Sequence, residues 1–400
     1  MNDPLLLDVL LYGETIGILT HLPGDKNLFT FADGYADNPK RRTLSLSFRD
    51  VYGDLITTIK PTRTRLPPFF SNLLPEGRLR DFLAEVAQVS SEREFFLLTA
   101  LGQDLPGAVR VIPHGEVIPP VEQSQRKPIE GAILHFSLAG VQMKFSADKE
   151  DHRLTIPAQG VGGEWIIKLP SREYEGVPEN EFAMMELARR MGMDVPETAL
   201  VAMDQISGIP EPFQKRKGKA YIIRRFDRNP QRHIEDFAQI FAIYPEKKYR
   251  AASYVNIAKV IWAETGEGGF REFLRRFIFN TLIGNGDMHL KNWSLVHSKE
   301  GQTFLAPAYD FVSTLPYIPN EQLALTFIDT KEFNSLQPHQ LVRFASKVSV
   351  PEKLVVDVFQ ETTEAFFHHW PRSTDLPISK QLRQMIDSHL KTFSFGATNG

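Results

Sequence analysis

The stretch LIGNGDMHLKN, residues 282–292, places Asn285, Asp287, His289, Lys291 and Asn292 within eight positions, directly behind an apolar run. A carboxylate there can take the proton of an attacking hydroxyl. A lysine can neutralise charge on a transferred phosphoryl group, and an asparagine amide oxygen can ligate Mg2+. An Asp followed within a few residues by a basic residue and an Asn is the arrangement of a kinase catalytic loop. Spacing alone leaves a second reading open, a solvated polar loop that caps the preceding helix.

Other residues gain meaning beside that loop. Asp310, in FLAPAYDFVST, lies 18 residues after Asn292 with two strand-like pieces between them. By itself it is a turn residue; a hairpin that returns the chain to the same cleft would let Asn292 and Asp310 share Mg2+. Lys168 sits inside the apolar strand EWIIKLP. It either snorkels to water at an edge or is held in a dry cleft to bind nucleotide phosphates. Glu181, on the following helix, is a candidate ion-pair partner, because a strand lysine paired with a helix glutamate is a kinase device. In FSLAGVQMKF, the turn at Ala139–Gly140 after Ser137 could turn backbone amides toward phosphate, with Lys144 as a further contact. A plain hairpin explains the same residues. RRFDR could read adenine through the backbone of Arg224, Arg225 and Phe226 and ribose through Asp227, or it could be a surface salt-bridge cluster.

The elements that must carry these groups follow from periodicity. Strands are expected over residues 5–22 as a pair turning near Gly13, then at 27–31 and 43–48. A helical segment is expected over 69–89, followed by a helix in SEREFFLLTALG with Ser91 as N-cap and Gly102 as stop. PGAVRVIP is a strand, and the Pro-rich segment 114–128 is a boundary. The strands around Lys144 and Lys168, the amphipathic helix 177–193, and the strands TALVAMD and AYIIRRFDR come next. From about residue 236 the pattern is mostly helical. Phe270, Phe273, Leu274, Phe277, Ile278 and Leu282 are in helical phase, with Arg271, Arg275 and Arg276 expected on the wet face.

Composition bounds the answer. The chain has 400 residues, 42% hydrophobic and 24% charged, which suits a soluble protein of two or three domains. It has no cysteine, so disulfides, zinc–thiolate sites and thiol nucleophiles are excluded. A formal net charge of -3 argues against a general nucleic-acid binder acting alone. No apolar run reaches the roughly 20 residues of a membrane span. The N-terminus lacks the basic region of a signal peptide, and the expected location is the cytoplasm.

Taken in order, SLAGVQMKF, IIKLP, the helix opening with NEF, RRFDR, LIGNGDMHLKN and AYDFVST resemble the HipA-type serine/threonine kinases, toxins of bacterial type II toxin–antitoxin systems. FFSNLLPEGRLR and ALGQDLPGAVRVIP are similar to that family's N-terminal subdomain, so the resemblance spans almost the whole chain. It implies an α+β, bilobal, protein-kinase-like fold. The expected parts are an N-terminal α/β subdomain (1–115), a strand-rich ATP-binding lobe (125–233) and an all-helical lobe with the catalytic loop (234–400).

The resemblance also implies roles. Asp287 would be the catalytic base. Lys168, His289, Lys291, Asn292, Tyr309 and Asp310 would line the ATP site, with Asn292 and Asp310 holding Mg2+. Ala139, Gly140, Val141, Gln142, Met143 and Lys144 would cover the phosphates, and Arg224, Arg225, Phe226 and Asp227 would form the hinge. Ser137 matches the family's autophosphorylation site. Met143 and Arg224 depart from the best-known member, which has acidic residues there. The implied partners are a helix-turn-helix antitoxin that makes most DNA contacts and a protein substrate of the translation apparatus, such as an aminoacyl-tRNA synthetase. A small-molecule kinase and a non-catalytic ATP-binding corepressor are the competing expectations.

Overall fold

The computed structural model of the chain describes residues 5–115, 144–150, 153–155, 162–171 and 173–393. Ser137 and residues 139–143, expected to carry the autophosphorylation site and the phosphate-covering loop, lie outside the described residues.

The N-terminal part is built on strands β1 (Leu5–Leu11), β2 (Glu14–Leu22), β3 (Lys26–Phe31), β4 (Thr62–Arg63) and β5 (Val109–Pro113), in the order β4-β3-β2-β1-β5. Helices α1 (Asp33–Ala36), α2 (Pro68–Leu73), α3 (Gly77–Val86) and α4 (Glu94–Leu101) accompany it. Alternation decides which face is buried: Leu7, Val9 and Leu11 of β1 all point into the core. The helical segment expected over 69–89 is two helices. Pro75 cannot donate to a helical hydrogen bond, and Glu76 takes an extended conformation between them.

Two further expectations fail here for local reasons. Residues 43–48 are not a strand. Leu46–Phe48 is a 3-10 turn, because the Ser45 hydroxyl and the Leu46 N–H are claimed by the buried Glu235 carboxylate, with 2.5 Å from Ser45 Oγ to Glu235 Oε2. Ser91 is not the N-cap of the next helix. That helix begins at Glu94, whose carboxylate instead accepts from the Leu66 N–H and the Ser71 hydroxyl.

The second sheet contains β6 (Lys144–Glu150), β7 (Arg153–Thr155), β8 (Trp165–Lys168), β9 (Thr198–Ala202), β10 (Ile206–Ser207) and β11 (Lys219–Arg224), in the order β10-β7-β6-β8-β11-β9. Register places Phe145, Ile167 and Ile222 abreast, and Lys144, Lys168 and Tyr221 abreast in the next row. Successive residues face opposite sides. One row therefore packs into the core shared with the N-terminal sheet. The other row faces the rest of the chain and carries both lysines. Helix α5 (Val177–Arg190) packs beside β11 and β9.

The remainder is mainly helical: α6 (Phe237–Ile240), α7 (Tyr254–Leu282), α8 (Pro338–Val348), α9 (Glu352–His369) and α10 (Lys380–Leu390). It is not all helix, since β12 (His233–Asp236), β13 (Ser294–His297) and β14 (Thr303–Leu305) form a three-stranded sheet. Helix α7 is interrupted at Gly266, where φ is 65°. Its apolar stripe, including Phe270, Phe273, Leu274, Phe277 and Ile278, is buried in a second core. Arg276, expected on the wet face, is buried: its guanidinium pairs with Glu272 at 2.8 Å and donates to the Ala306 carbonyl.

Candidate active site

A cavity of about 690 Å3 lies between the lysine-bearing row of the second sheet and the helical lobe. Lys144, Lys168, Glu181, Asp287, His289, Lys291, Asn292, Tyr309, Asp310 and the segment 224–227 all line it. The described site residues named from sequence therefore meet in one place, although they span 167 positions, from 144 to 310 inclusive.

The loop behind α7 is mounted rigidly. Gly284 has a φ of +68°, and a Cβ added there would lie 2.5 Å from Leu315, so both conformation and space call for glycine. The buried Asn285 then latches the loop. Its side-chain oxygen accepts the Asp287 N–H at 3.0 Å, and its amide donates to Asn280 at 2.7 Å and to the Asp310 carbonyl at 3.3 Å. One side chain thus ties the helix end, the base candidate and the distant aspartate together.

At Asp287, the Tyr249 hydroxyl donates to Oδ1. Burial and the neighbouring carboxylate both push the Tyr249 phenol far above its ordinary value, so it stays a donor. His289 Nε2 stands 3.9 Å from the same oxygen. Burial drives that imidazole down to about 4, so it is neutral near pH 7. Asn292 donates its amide to the Asp287 carbonyl at 2.8 Å, which leaves its amide oxygen as the free end.

The charges opposite are concentrated. Lys144 and Lys168 are cross-strand partners, an arrangement that repels unless an anion intervenes. Asp310 supplies it: Oδ1 accepts from Lys168, and Oδ2 accepts from Lys144 at 3.4 Å. Lys168 also donates to Glu181 on α5. Burial alone would raise the Asp310 carboxyl, but the two ammonium groups hold it well below the usual carboxylate range. Burial alone would lower Lys168, yet Asp310 and Glu181 hold it above the ordinary lysine value. Asp310 has a φ of 58°, a left-handed conformation that Asp adopts more readily than most residues.

Residues 224–227 form one wall. The Arg224 and Arg225 N–H groups are spent on Glu197 and Glu164, at 2.8 and 2.7 Å. Phe226 stacks on Tyr309 with centroids 5.9 Å apart. Asp227 departs from its expected role as a ribose contact. Both its oxygens are taken: Oδ1 accepts from Arg225 Nε at 3.0 Å, and Oδ2 accepts from Arg225 at 2.7 Å, Arg228 at 2.6 Å and the Gly107 N–H at 2.9 Å. It is a tie between the second sheet and the N-terminal part.

Lys291 lines the cavity, and its ammonium lies 2.9 Å from Glu76 Oε1 and 3.0 Å from the Asn72 carbonyl. Lys248 reaches the other Glu76 oxygen at 2.8 Å. Sequence reading missed Glu76, Tyr249 and Lys248. Glu76 had one local signal, its place after a helix-breaking proline; the other two lie in unpatterned turns.

Comparison with known proteins agrees with the geometry. The HipA-like C-terminal domain matches residues 136–370, and the HipA N-terminal domain matches residues 7–112. This chain belongs to the HipA family. It is 49% identical over 395 residues to a protein of Sinorhizobium fredii named as a kinase, Y4dM, covering 97% of both chains. It is 27% identical over 333 residues to the serine/threonine-protein kinase toxin HipA of Shewanella oneidensis, covering 74% of each. A solved Shewanella oneidensis structure of HipA with HipB and operator DNA has the same fold, with a TM-score of 0.74 at 24% identity over 96% of this HipA-family chain and 95% of that one.

Proposed function

We propose that the chain is an ATP-dependent serine/threonine protein kinase that acts as the toxin of a type II toxin–antitoxin pair. The observation that carries this reading is the meeting of Asp287, Asn292, Asp310 and the Lys168–Glu181 pair around one cavity. Family membership and the names of the relatives support it.

In this reading Tyr249 holds Oδ1 of Asp287, which leaves Oδ2 to take the proton of a serine hydroxyl. The serine oxygen attacks the γ-phosphorus of ATP, and ADP leaves. Transfer depends on positioning and charge stabilisation more than on covalent chemistry by the protein. Lys168, kept protonated by its two carboxylates, contacts the phosphates, and Glu181 sets its position. The 224–227 wall with Tyr309 takes the base, and residues 139–144 cover the phosphates. Ser137 is the autophosphorylation site.

The donor set fits Mg2+. Among the described residues there is no group of three or more His, Cys, Asp or Glu that could hold a metal. A free Asn292 amide oxygen and an ionised Asp310 are the sparse oxygen set that Mg2+ takes alongside phosphate and water. When bound, Mg2+ would neutralise phosphate charge.

A HipB-like antitoxin is the proposed partner and the main DNA contact, in line with the complex formed by the Shewanella oneidensis protein. The proposed substrate is a translation enzyme such as an aminoacyl-tRNA synthetase, and the proposed location is the cytoplasm. No described helix is long and apolar enough to cross a membrane. The proposed units are residues 1–115, 125–233 and 234–400. Phosphopeptide comparison after brief expression of wild type and Asp287→Asn tests the reading. New phosphoserines on cellular proteins with wild type alone support it. Label on a metabolite with no labelled protein would point instead to a small-molecule kinase.

A further inference from the structure

Glu76 belongs to the N-terminal part of the chain, yet its carboxylate enters the cavity wall of the candidate kinase site. It lies at the break between α2 and α3, in extended conformation. Its two oxygens go to different places: Oε1 stands 2.9 Å from Lys291 of the catalytic loop, and Oε2 accepts from Lys248 of the helical lobe at 2.8 Å. Lys291 and Lys248 are both buried, at 7% and 6% exposure. A buried ammonium needs an anion. Among the described residues, the only other carboxylate within ion-pair distance of Lys291 is that of Asp236, at 3.9 Å. The Asn72 carbonyl, three residues before Pro75, adds a second hold on the same ammonium at 3.0 Å. Asn72 is itself anchored to the helical lobe by donating to the Ile243 carbonyl at 2.7 Å. The catalytic loop is thus pinned from the inside by Asn285 and from the outside by Glu76.

We propose that Glu76 is a positioning residue of the kinase site: from the N-terminal part of the chain it holds Lys291, and through Lys291 the Asp287–Asn292 loop, in reacting geometry. This rests on the kinase reading above. The N-terminal part is then a component of the catalytic unit. Misplacing such a loop by about an ångström is enough to cost up to roughly 100-fold in rate.

The test uses full-length protein with Mg2+ and ATP and compares Glu76→Gln, Glu76→Asp and Glu246→Gln. Glu246 pairs with Arg65 across the same two parts at 2.7 Å but is exposed and makes no ion pair with Lys291, so it reports the contact between the two parts. Glu76→Gln is expected to lower kcat about tenfold or more with little change in KM for ATP. Glu76→Asp should recover part of the loss, and Glu246→Gln should match wild type. Acetylation footprinting of lysines supplies a readout independent of turnover: Lys291 should become reactive in Glu76→Gln while Lys168 stays protected. An active wild type with Glu76→Gln unchanged in kcat, or Lys291 equally protected in both, overturns the proposal. A wild type that transfers no phosphate overturns the kinase reading itself.

Discussion

Tyr249 donates its hydroxyl hydrogen to Oδ1 of Asp287, so one oxygen of the proposed base is occupied and oriented before any substrate arrives. Tyr249→Phe removes the hydrogen bond and keeps the ring that packs edge-on against His289. The expected outcome is a kcat lower by roughly tenfold with unchanged folding, a fraction of what a whole general base contributes. Steady-state kinetics and a melting curve check it. Equal kcat would mean that Asp287 needs no external orientation.

Lys168 and Glu181 form a buried pair, with side chains only 5% and 3% exposed. Removing one member of such a pair leaves a charge without compensation. Lys168 keeps Asp310 as a counter-charge, so Glu181→Gln is expected to cost less than the about 3 kcal/mol of a stranded buried charge and to slow phosphoryl transfer. Lys168→Met should abolish transfer. Chemical denaturation gives the first result and radiolabel transfer the second.

Gly284 sits at a φ of +68° with Leu315 where a side chain would go. Gly284→Ala should destabilise the protein by about 1–3 kcal/mol and reduce activity beyond what the stability loss explains. The extra loss would come from the Asn285 latch, one residue on. Activity measured well below the melting temperature separates the two effects.

His233 sets a pH dependence of stability. It is fully buried and bonded to the Leu44 carbonyl at 2.7 Å. Burial first, and then the nearby His297, lower its imidazole from 6.5 to about 4. The unfolded chain therefore binds a proton more readily than the native one. The stability this residue contributes is present above pH 6.5 and is lost as pH falls through 6.5 toward 4. His233→Gln can still donate to Leu44 but does not titrate. It should flatten the acid-side fall in unfolding free energy by about 3 kcal/mol, read from urea curves across that pH range.

The site was legible in the sequence to an uneven degree. Asp287, Asn292, Asp310 and Lys168 were readable because each combines an unusual residue type with a short local context, and all four line the cavity. The strands at β1 and β8 were also expected, and both form. The failures share a cause. Residues 43–48 had strand-like composition, but a carboxylate at Glu235, far along the chain, captured their hydrogen-bonding groups. Arg276 had surface periodicity, but Glu272 and a carbonyl from the β14 region drew it inside. Asp227 had ligand-like chemistry, yet the Gly107 N–H, 120 positions away, holds it together with Arg225 and Arg228. Long-range pairing of polar groups leaves no periodic trace, so only the folded chain reveals it.

The central claim is that Asp287 is the base of an ATP-dependent protein kinase. The most direct measurement is transfer of γ-labelled phosphate from ATP, with Mg2+, to serine in this protein and in lysate proteins, for wild type and Asp287→Asn. Labelled phosphoserine is expected with wild type, and a loss of at least about 100-fold in the variant. Equal labelling by both proteins would contradict it.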